Sequence, residues 1–219
     1  MCCIIAVFFI HKSTAQELPK GFVYVDEVIP NIHLDLRYTS YNNFVGLPIK
    51  GYEKACCILS SEATEALKKV QLALNKKGLG LLIYDSYRPQ QAVNHFMEWA
   101  RNTNDTLMKQ HFYPNVKKKN LFKKQYIATR SGHSRGSTID LTIVDLKTGI
   151  SLDMGSPFDF FGPESWVSNT NLTTDQIANR QLLQKTMKQF NFRNYPKEWW
   201  HFTLRWEPFP KTYFDFPVH

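Results

Sequence analysis

The chain has few cysteines, no long apolar run and no internal repeat. Its 219 residues include four cysteines in two adjacent pairs, which is too few for a disulfide scaffold and lacks the C-x-x-C spacing of a zinc site. No stretch of about 18 apolar residues is present, so we predict no membrane-spanning helix. An apolar share of 43% excludes global disorder. The length predicts a single domain.

Positive charge is in excess, with 27 Lys and Arg against 19 Asp and Glu, a net charge of +8. Such a balance suits an anionic partner or surface. The densest basic run, residues 117–119 with Lys123 and Lys124, is short, and neither zinc-finger spacing nor an RNA-recognition signature accompanies it. We therefore interpret the run as a solvated loop and predict no nucleic-acid partner.

The first segment has the pattern of a secretory signal. Residues 2–10 read CCIIAVFFI, and after His11 and Lys12 come the small residues Ser13, Thr14 and Ala15. This pattern predicts a signal peptide over residues 1–15, cleavage after Ala15, and an exported, periplasmic protein. Only the α-amino group is charged before the apolar run. The alternatives are a start site further upstream, or a buried N-terminal strand in a cytoplasmic protein.

Helical and strand patterns follow one another without a regular βαβ rhythm. Apolar spacing and capping residues predict helices that begin near residues 60, 89 and 173. Short apolar or alternating runs predict strands at residues 79–84, 137–144 and 201–206. Residues 147–172 read as a long covering loop. We predict one α+β domain over residues 16–219, with a mostly antiparallel central sheet flanked by helices.

Three short segments carry residues that could perform chemistry: SGHSRGSTID at 131–140, EWWH at 198–201 and YDSYRP at 84–89. A catalytic zinc takes three protein ligands from His, Asp or Glu and leaves a position for water. His133, Asp140 and His201 could supply two imidazoles and one carboxylate. The spacing between the first two suits a glycine turn at Gly136 that leads into a strand.

Glu198 and Arg88 are the candidate catalytic groups. Positions three apart face opposite sides of an extended strand, so Glu198 is predicted in the turn before the strand of His201. From there it could take a proton from water and return it to a leaving amine. Arg88 could hold a developing oxyanion with its fixed planar charge. Each residue alone has an ordinary structural explanation, but the combination favours a catalytic site.

These segments resemble the zinc D-alanyl-D-alanine dipeptidases of the vancomycin-resistance type, a branch of the zinc D,D-peptidases. The family pattern S-x-H-x-x-G-x-A-x-D, followed by E-W-W-H, stands here as SGHSRGSTID and EWWH, with Thr138 in the usual alanine place. Similar flanking segments lie at residues 36–38, 42–46, 80–89, 96–100 and 152–159, and they extend the resemblance over about residues 22–206. The flanks favour the dipeptidase branch over the carboxypeptidases.

The resemblance implies a zinc D,D-peptidase-like fold and one Zn²⁺ per chain, held by His133, Asp140 and His201. It implies Glu198 as general base and acid, and Arg88 as the group that stabilises the tetrahedral intermediate. The expected reaction is hydrolysis of the dipeptide D-Ala-D-Ala to free D-alanine, within cell-wall peptide metabolism.

The resemblance also suggests a pocket for the amino end of the dipeptide. Asp159 and Ser131 are expected near that end, and Tyr38 is expected to line the pocket. The alternative functions are a zinc D,D-carboxypeptidase or endopeptidase acting on peptidoglycan stem peptides, and a wall-binding module that keeps the fold. The expected partner is the small dipeptide alone, and the sequence makes no prediction of oligomeric state.

Overall fold

A computed structural model describes residues 17–219, so the predicted signal peptide lies outside the described residues. The strands are β1 (Phe22–Tyr24), β2 (His33–Leu34), β3 (Ile58–Ser60), β4 (Leu79–Asp85), β5 (Thr138–Asp145), β6 (Phe192–Tyr195) and β7 (Glu198–Leu204). The α-helices are α1 (Val25–Val28), α2 (Ser61–Asn75), α3 (Gln90–Arg101), α4 (Lys109–Phe112) and α5 (Thr174–Gln189). Within this part of the chain no helix is both long and apolar enough to cross a bilayer.

The central sheet has five strands in the order β2-β4-β5-β7-β6. All neighbouring pairs are antiparallel except β2 with β4. Strands β1 and β3 form a separate antiparallel pair. The predicted α+β class and mostly antiparallel sheet are confirmed. Strand β6 was not predicted, because its sequence FRNY is short and exposes both central side chains at the sheet edge.

Capping residues fix where the two long helices begin. The Ser60 hydroxyl accepts a hydrogen bond from the Ala63 amide at the start of α2, and Thr173 and Gln176 form the predicted capping box of α5. Pro89 stands one residue earlier than predicted, as the N-cap residue of α3 rather than its first residue. The turn at residues 85–88, which links β4 to α3, is thereby held between a strand end and a helix start.

The long loop over residues 147–172 covers one side of the sheet with aromatic side chains. Phe158 stacks on Tyr84 with ring centroids 4.5 Å apart and meets the buried Trp200 at 5.5 Å. Trp199 and Trp200 are both buried and belong to the core. Because these ring contacts fix Phe158, they also fix the position of the next residue, Asp159.

The chain end packs against the turns that carry the candidate residues. The Phe214 amide donates to the Ser134 carbonyl, and the Tyr87 hydroxyl donates to the Phe216 carbonyl. Rings of this segment also pack around Phe22, with the Phe209 ring stacked at 5.6 Å. The C-terminal segment therefore supports both the 85–88 turn and the turn before β5.

Candidate active site

Strand register brings three candidate side chains into one row. Asp140 on β5 is paired with His201 on β7 and, on its other side, with Asp85 at the end of β4. Residues directly opposite in an antiparallel pair point to the same face. The row therefore places two acids and one imidazole on one face of the sheet, across three adjacent strands.

A glycine-terminated turn adds the second imidazole. His133 lies in a short 3-10 turn, Gly132–Arg135, whose start is capped by the Ser131 hydroxyl accepting from the His133 amide. Gly136 ends the turn in the left-handed conformation with φ of 77°. The predicted glycine turn leading into a strand is therefore present, and it delivers His133 to the row of Asp140 and His201.

The donor atoms of this cluster are spaced as zinc ligands should be. His133 Nε2 lies 3.3 Å from His201 Nδ1 and 3.3 Å from Asp140 Oδ2, while Asp140 Oδ1 lies 3.0 Å from His201 Nδ1. Ligands about 2.0–2.1 Å from a tetrahedral zinc stand about 3.3 Å apart. Within residues 17–219, these three side chains form a potential metal site, because their donor atoms all lie within 4.8 Å of one another.

The tautomer of His133 and the environment of Asp140 also suit a cation. His133 Nδ1 donates to the Ser86 carbonyl at 2.7 Å, which leaves the Nε2 lone pair of the neutral ring facing the cluster. Asp140 Oδ1 is buried and makes no hydrogen bond of good geometry. Burial alone would raise the pKa of Asp140, but His133 and His201 hold that pKa below its usual range. The residues present therefore fit a zinc ion.

Glu198 lies in a different place from the one predicted. It is the first residue of β7 rather than part of the preceding turn. The ladder with β6 is interrupted there: Asn194 pairs with Phe202, but the next residue, Tyr195, pairs with Glu198. This irregularity breaks the strict alternation of facing side chains. Glu198 Oε2 consequently lies 3.3 Å from His201 Nδ1, and burial raises the pKa of Glu198 to about 7.

Arg88 projects over the same face and is held by an acid that the sequence analysis did not assign to the site. Its Nε donates to Asp85 Oδ2 at 2.9 Å, and its terminal nitrogen lies 3.5 Å from Asp140 Oδ2. Asp85 also accepts from the Tyr52 hydroxyl at 2.7 Å. The available sequence signal for Asp85 is its place in the YDSYRP segment, three positions before Arg88.

Asp159 and Tyr38 form a buried pair. The Tyr38 hydroxyl donates to Asp159 Oδ2 at 2.9 Å, although the two residues are 121 positions apart. Asp159 is 6% exposed and has a φ of 63°, an uncommon backbone conformation for a residue with a side chain. Burial, reinforced by the charge of Asp140, raises the pKa of Asp159 well above its usual value. Asp159 is therefore a constrained buried acid rather than an exposed loop carboxylate.

Most of these side chains line one cavity of about 420 Å³. Its lining includes all eight residues singled out from the sequence: Tyr38, Arg88, Ser131, His133, Asp140, Asp159, Glu198 and His201. The lining also includes aromatic side chains and three arginines, Arg130, Arg135 and Arg193. A volume of this size suits a small molecule.

Gly136 is expected to be intolerant of a side chain. A Cβ at this position would meet the Phe22 ring, in a conformation that L-residues rarely adopt. Overpacking and left-handed strain together predict that Gly136→Ala lowers the free energy of unfolding by about 2–5 kcal/mol. Gly149→Ala is the matched control, because φ there is 71° but nothing lies within 4 Å. Thermal unfolding of both variants checks this, and equal losses would contradict it.

Comparison with known proteins connects this geometry to a family. The family model described as D-ala-D-ala dipeptidase matches residues 19–219. The chain belongs to the D-Ala-D-Ala dipeptidase family. The resemblance stated from the motifs is thereby confirmed, and it extends over the whole C-terminal segment, beyond the limit of about residue 206 drawn from the sequence.

Curated members of the dipeptidase family are similar along almost their full length. The chain is 41% identical over 198 residues to a D-alanyl-D-alanine dipeptidase of Enterococcus faecium. The aligned residues cover 90% of this chain and 98% of that protein. It is 40% identical to a D-alanyl-D-alanine dipeptidase of Enterococcus faecalis, covering 92% and 100% of the two chains. A Streptomyces coelicolor D-alanyl-D-alanine dipeptidase is also 40% identical, covering 90% and 98%.

Proposed function

We propose that this member of the dipeptidase family is a zinc enzyme that hydrolyses D-Ala-D-Ala to two molecules of D-alanine. One observation carries the proposal: a single small cavity holds three convergent metal donors beside Glu198 and Arg88. The relatives named D-alanyl-D-alanine dipeptidase, at about 40% identity, support the choice of substrate. We propose one zinc per chain, because one such cluster lies within residues 17–219.

We assign zinc binding to His133, Asp140 and His201. In such a site zinc supplies Lewis-acid chemistry, which acidifies water and polarises a carbonyl. The protein's part is to present two neutral imidazoles and one carboxylate in a fixed arrangement. The Ser86 carbonyl fixes the tautomer of His133, and the Ser131 cap fixes the turn on which His133 lies.

Glu198 and Arg88 are proposed to carry the proton and charge movements. Glu198 accepts a proton from the attacking water and returns it to the leaving D-alanine amine, a task that suits a carboxylate with a pKa near 7. Arg88 donates to the oxygen of the tetrahedral intermediate as negative charge develops there. Burial alone would lower the pKa of Arg88, but the charge of the buried Asp85 raises that pKa well above its usual value, and the ion pair between them orients the guanidinium.

The buried Tyr38–Asp159 pair is proposed to receive the free amino end of the dipeptide. An ammonium group that enters the cavity would place a positive charge beside the Asp159 carboxyl group. That charge would favour the ionised form of Asp159. Ser131 lines the same cavity and is proposed to contact the substrate beside its role as a cap. A closed pocket of this kind would disfavour substrates with a blocked amino group.

The test is release of D-alanine by the purified protein, with and without a chelator. The substrates are D-Ala-D-Ala, its N-acetylated form and a pentapeptide that ends in D-Ala-D-Ala. Chelator-sensitive cleavage of the free dipeptide alone is the expected result. Cleavage of the blocked or long substrates would instead favour the D,D-carboxypeptidase or endopeptidase, and no cleavage by a zinc-loaded protein would overturn the substrate.

Export is a separate proposal that rests on the sequence of residues 1–15 alone. An enzyme outside the cytoplasm would meet D-Ala-D-Ala from cell-wall peptides. We expect the protein recovered from the cell envelope of its host to begin at Gln16, as checked by N-terminal sequencing after fractionation. A cytoplasmic protein that retains residues 1–15 would contradict export without affecting the proposed reaction.

A further inference from the structure

Three arginines form a cluster on one wall of the catalytic cavity, around two side chains of the C-terminal segment. Arg135 makes a two-pronged ion pair with Glu207, with distances of 2.7 and 2.8 Å, and Arg193 reaches the same carboxylate at 3.4 Å. The Arg130 guanidinium lies 5.0 Å from the ring centre of Tyr213, whose hydroxyl accepts from Arg135 at 3.4 Å. All three arginines line the cavity.

Two of the three arginines are available to a ligand. Arg135 is held by the buried Glu207, just as Arg88 is held by the buried Asp85, so the charges of both are already matched. Arg130 is exposed and has an aromatic partner, and Arg193 is 54% exposed and only shares Glu207 at a longer distance. With one carboxylate for three guanidinium groups, this wall has an excess of positive charge facing the cavity.

The sheet order places this wall opposite the Tyr38–Asp159 pair. Arg193 stands on β6, the edge strand, and the metal donors Asp140 and His201 stand on β5 and β7. Tyr38 lies in a turn packed against β4, on the other side of β5. Across the sheet, the Tyr38–Asp159 pair therefore lies on the β4 side and Arg193 lies on β6. The metal donors on β5 and β7 lie between them.

This arrangement matches the charge pattern of a dipeptide. A free dipeptide carries an ammonium group at one end and a carboxylate at the other, with its single peptide bond between them. With the peptide bond at the metal donors and the ammonium group at Asp159, the carboxylate would point to the β6 side. Guanidinium groups bind carboxylates through charge-assisted hydrogen bonds, and exposed arginine side chains are long enough to reach into the cavity.

Building on the proposed function, we propose that Arg130 and Arg193 bind the C-terminal carboxylate of the dipeptide and make a free carboxyl end a requirement of the enzyme. Neither residue belongs to the motifs that identified the site, because Arg130 precedes the first motif and Arg193 lies on the unpredicted strand β6. Their proposed role is substrate selection, and it leaves the proton transfers to Glu198.

The test compares D-Ala-D-Ala with D-alanyl-D-alaninamide, which lacks only the terminal charge. Wild-type enzyme is expected to have a KM for the amide at least about tenfold above that for the acid, since a hydrogen bond to a charged group contributes about that factor. In Arg130→Gln and Arg193→Gln we expect the KM for the acid to rise about tenfold, with kcat and the KM for the amide nearly unchanged. Arg205→Gln, an exposed cation outside the catalytic cavity, is the matched control.

Calorimetry of both compounds with the slow Glu198→Gln variant, alone and combined with each arginine change, measures the same preference as a binding affinity. Equal affinity for acid and amide, or a preference that survives both arginine changes, would overturn the inference. An equal effect of Arg205→Gln would overturn it too, because it would show general attraction by positive charge. Failure of the proposed function has a different signature, namely no D-alanine released from either compound by wild-type enzyme.

Discussion

Replacing Glu198 by glutamine is expected to lower kcat for D-Ala-D-Ala between about 10²- and 10⁴-fold, the range that a positioned general acid–base contributes. The amide keeps the shape of the side chain but neither accepts the proton of the attacking water nor returns one to the leaving amine. KM is expected to change little, because the neighbouring groups that would hold the substrate are left in place.

Zinc content separates this effect from loss of the metal. Glu198→Gln should retain about as much zinc as wild type by elemental analysis, since His133, Asp140 and His201 are unchanged. Glu65→Gln, at an exposed position on α2, is the matched control and should keep full activity. Unchanged turnover in Glu198→Gln would refute its role as the base.

Replacing His133 by alanine is expected to remove both zinc and activity. The loss of activity should exceed the roughly 10–100-fold that loss of an outer-shell metal partner costs, because a direct donor disappears. The Ser86 carbonyl also loses its hydrogen-bond partner in the core, so the free energy of unfolding should fall as well.

The measurements are metal stoichiometry after dialysis, D-alanine release and thermal unfolding. His111→Ala is the control, since that histidine is exposed on α4 away from the cavity. The stabilisation that zinc gives to wild type on addition should be absent from His133→Ala, because binding to the native state alone raises stability. Retention of one tightly bound zinc by His133→Ala would show that the metal lies elsewhere.

The sequence predicted those helix starts and strands that depend on interactions between residues close together in the chain. The Ser60 cap and the Thr173–Gln176 box predicted the starts of α2 and α5, since both depend on groups within three residues of one another. The apolar runs before Asp85 and after Ser137 predicted β4 and β5. The short edge strand β6 escaped prediction because its hydrogen bonds come from β7 and its own sequence has no alternating pattern.

The candidate site shows the same contrast between features set by nearby residues and features set by tertiary pairing. The residue types and spacing of SGHSRGSTID and EWWH predicted the three donor side chains that converge in the structure, because a zinc ligand set requires particular residue types that the sequence must contain. The position of Glu198 did not follow from spacing, since only the interrupted pairing of β6 with β7 turns it towards His201. A rule for regular strands fails where tertiary pairing makes the strand irregular.

The sequence by itself determined which chemical groups are present: two imidazoles, two carboxylates and an arginine, on a chain of one α+β domain. The tertiary structure decided how those groups meet. The row of Asp85, Asp140 and His201 exists only through the register of three strands, and the Tyr38–Asp159 pair joins residues 121 positions apart. Such contacts depend on packing between distant segments, and no short window of sequence contains both partners.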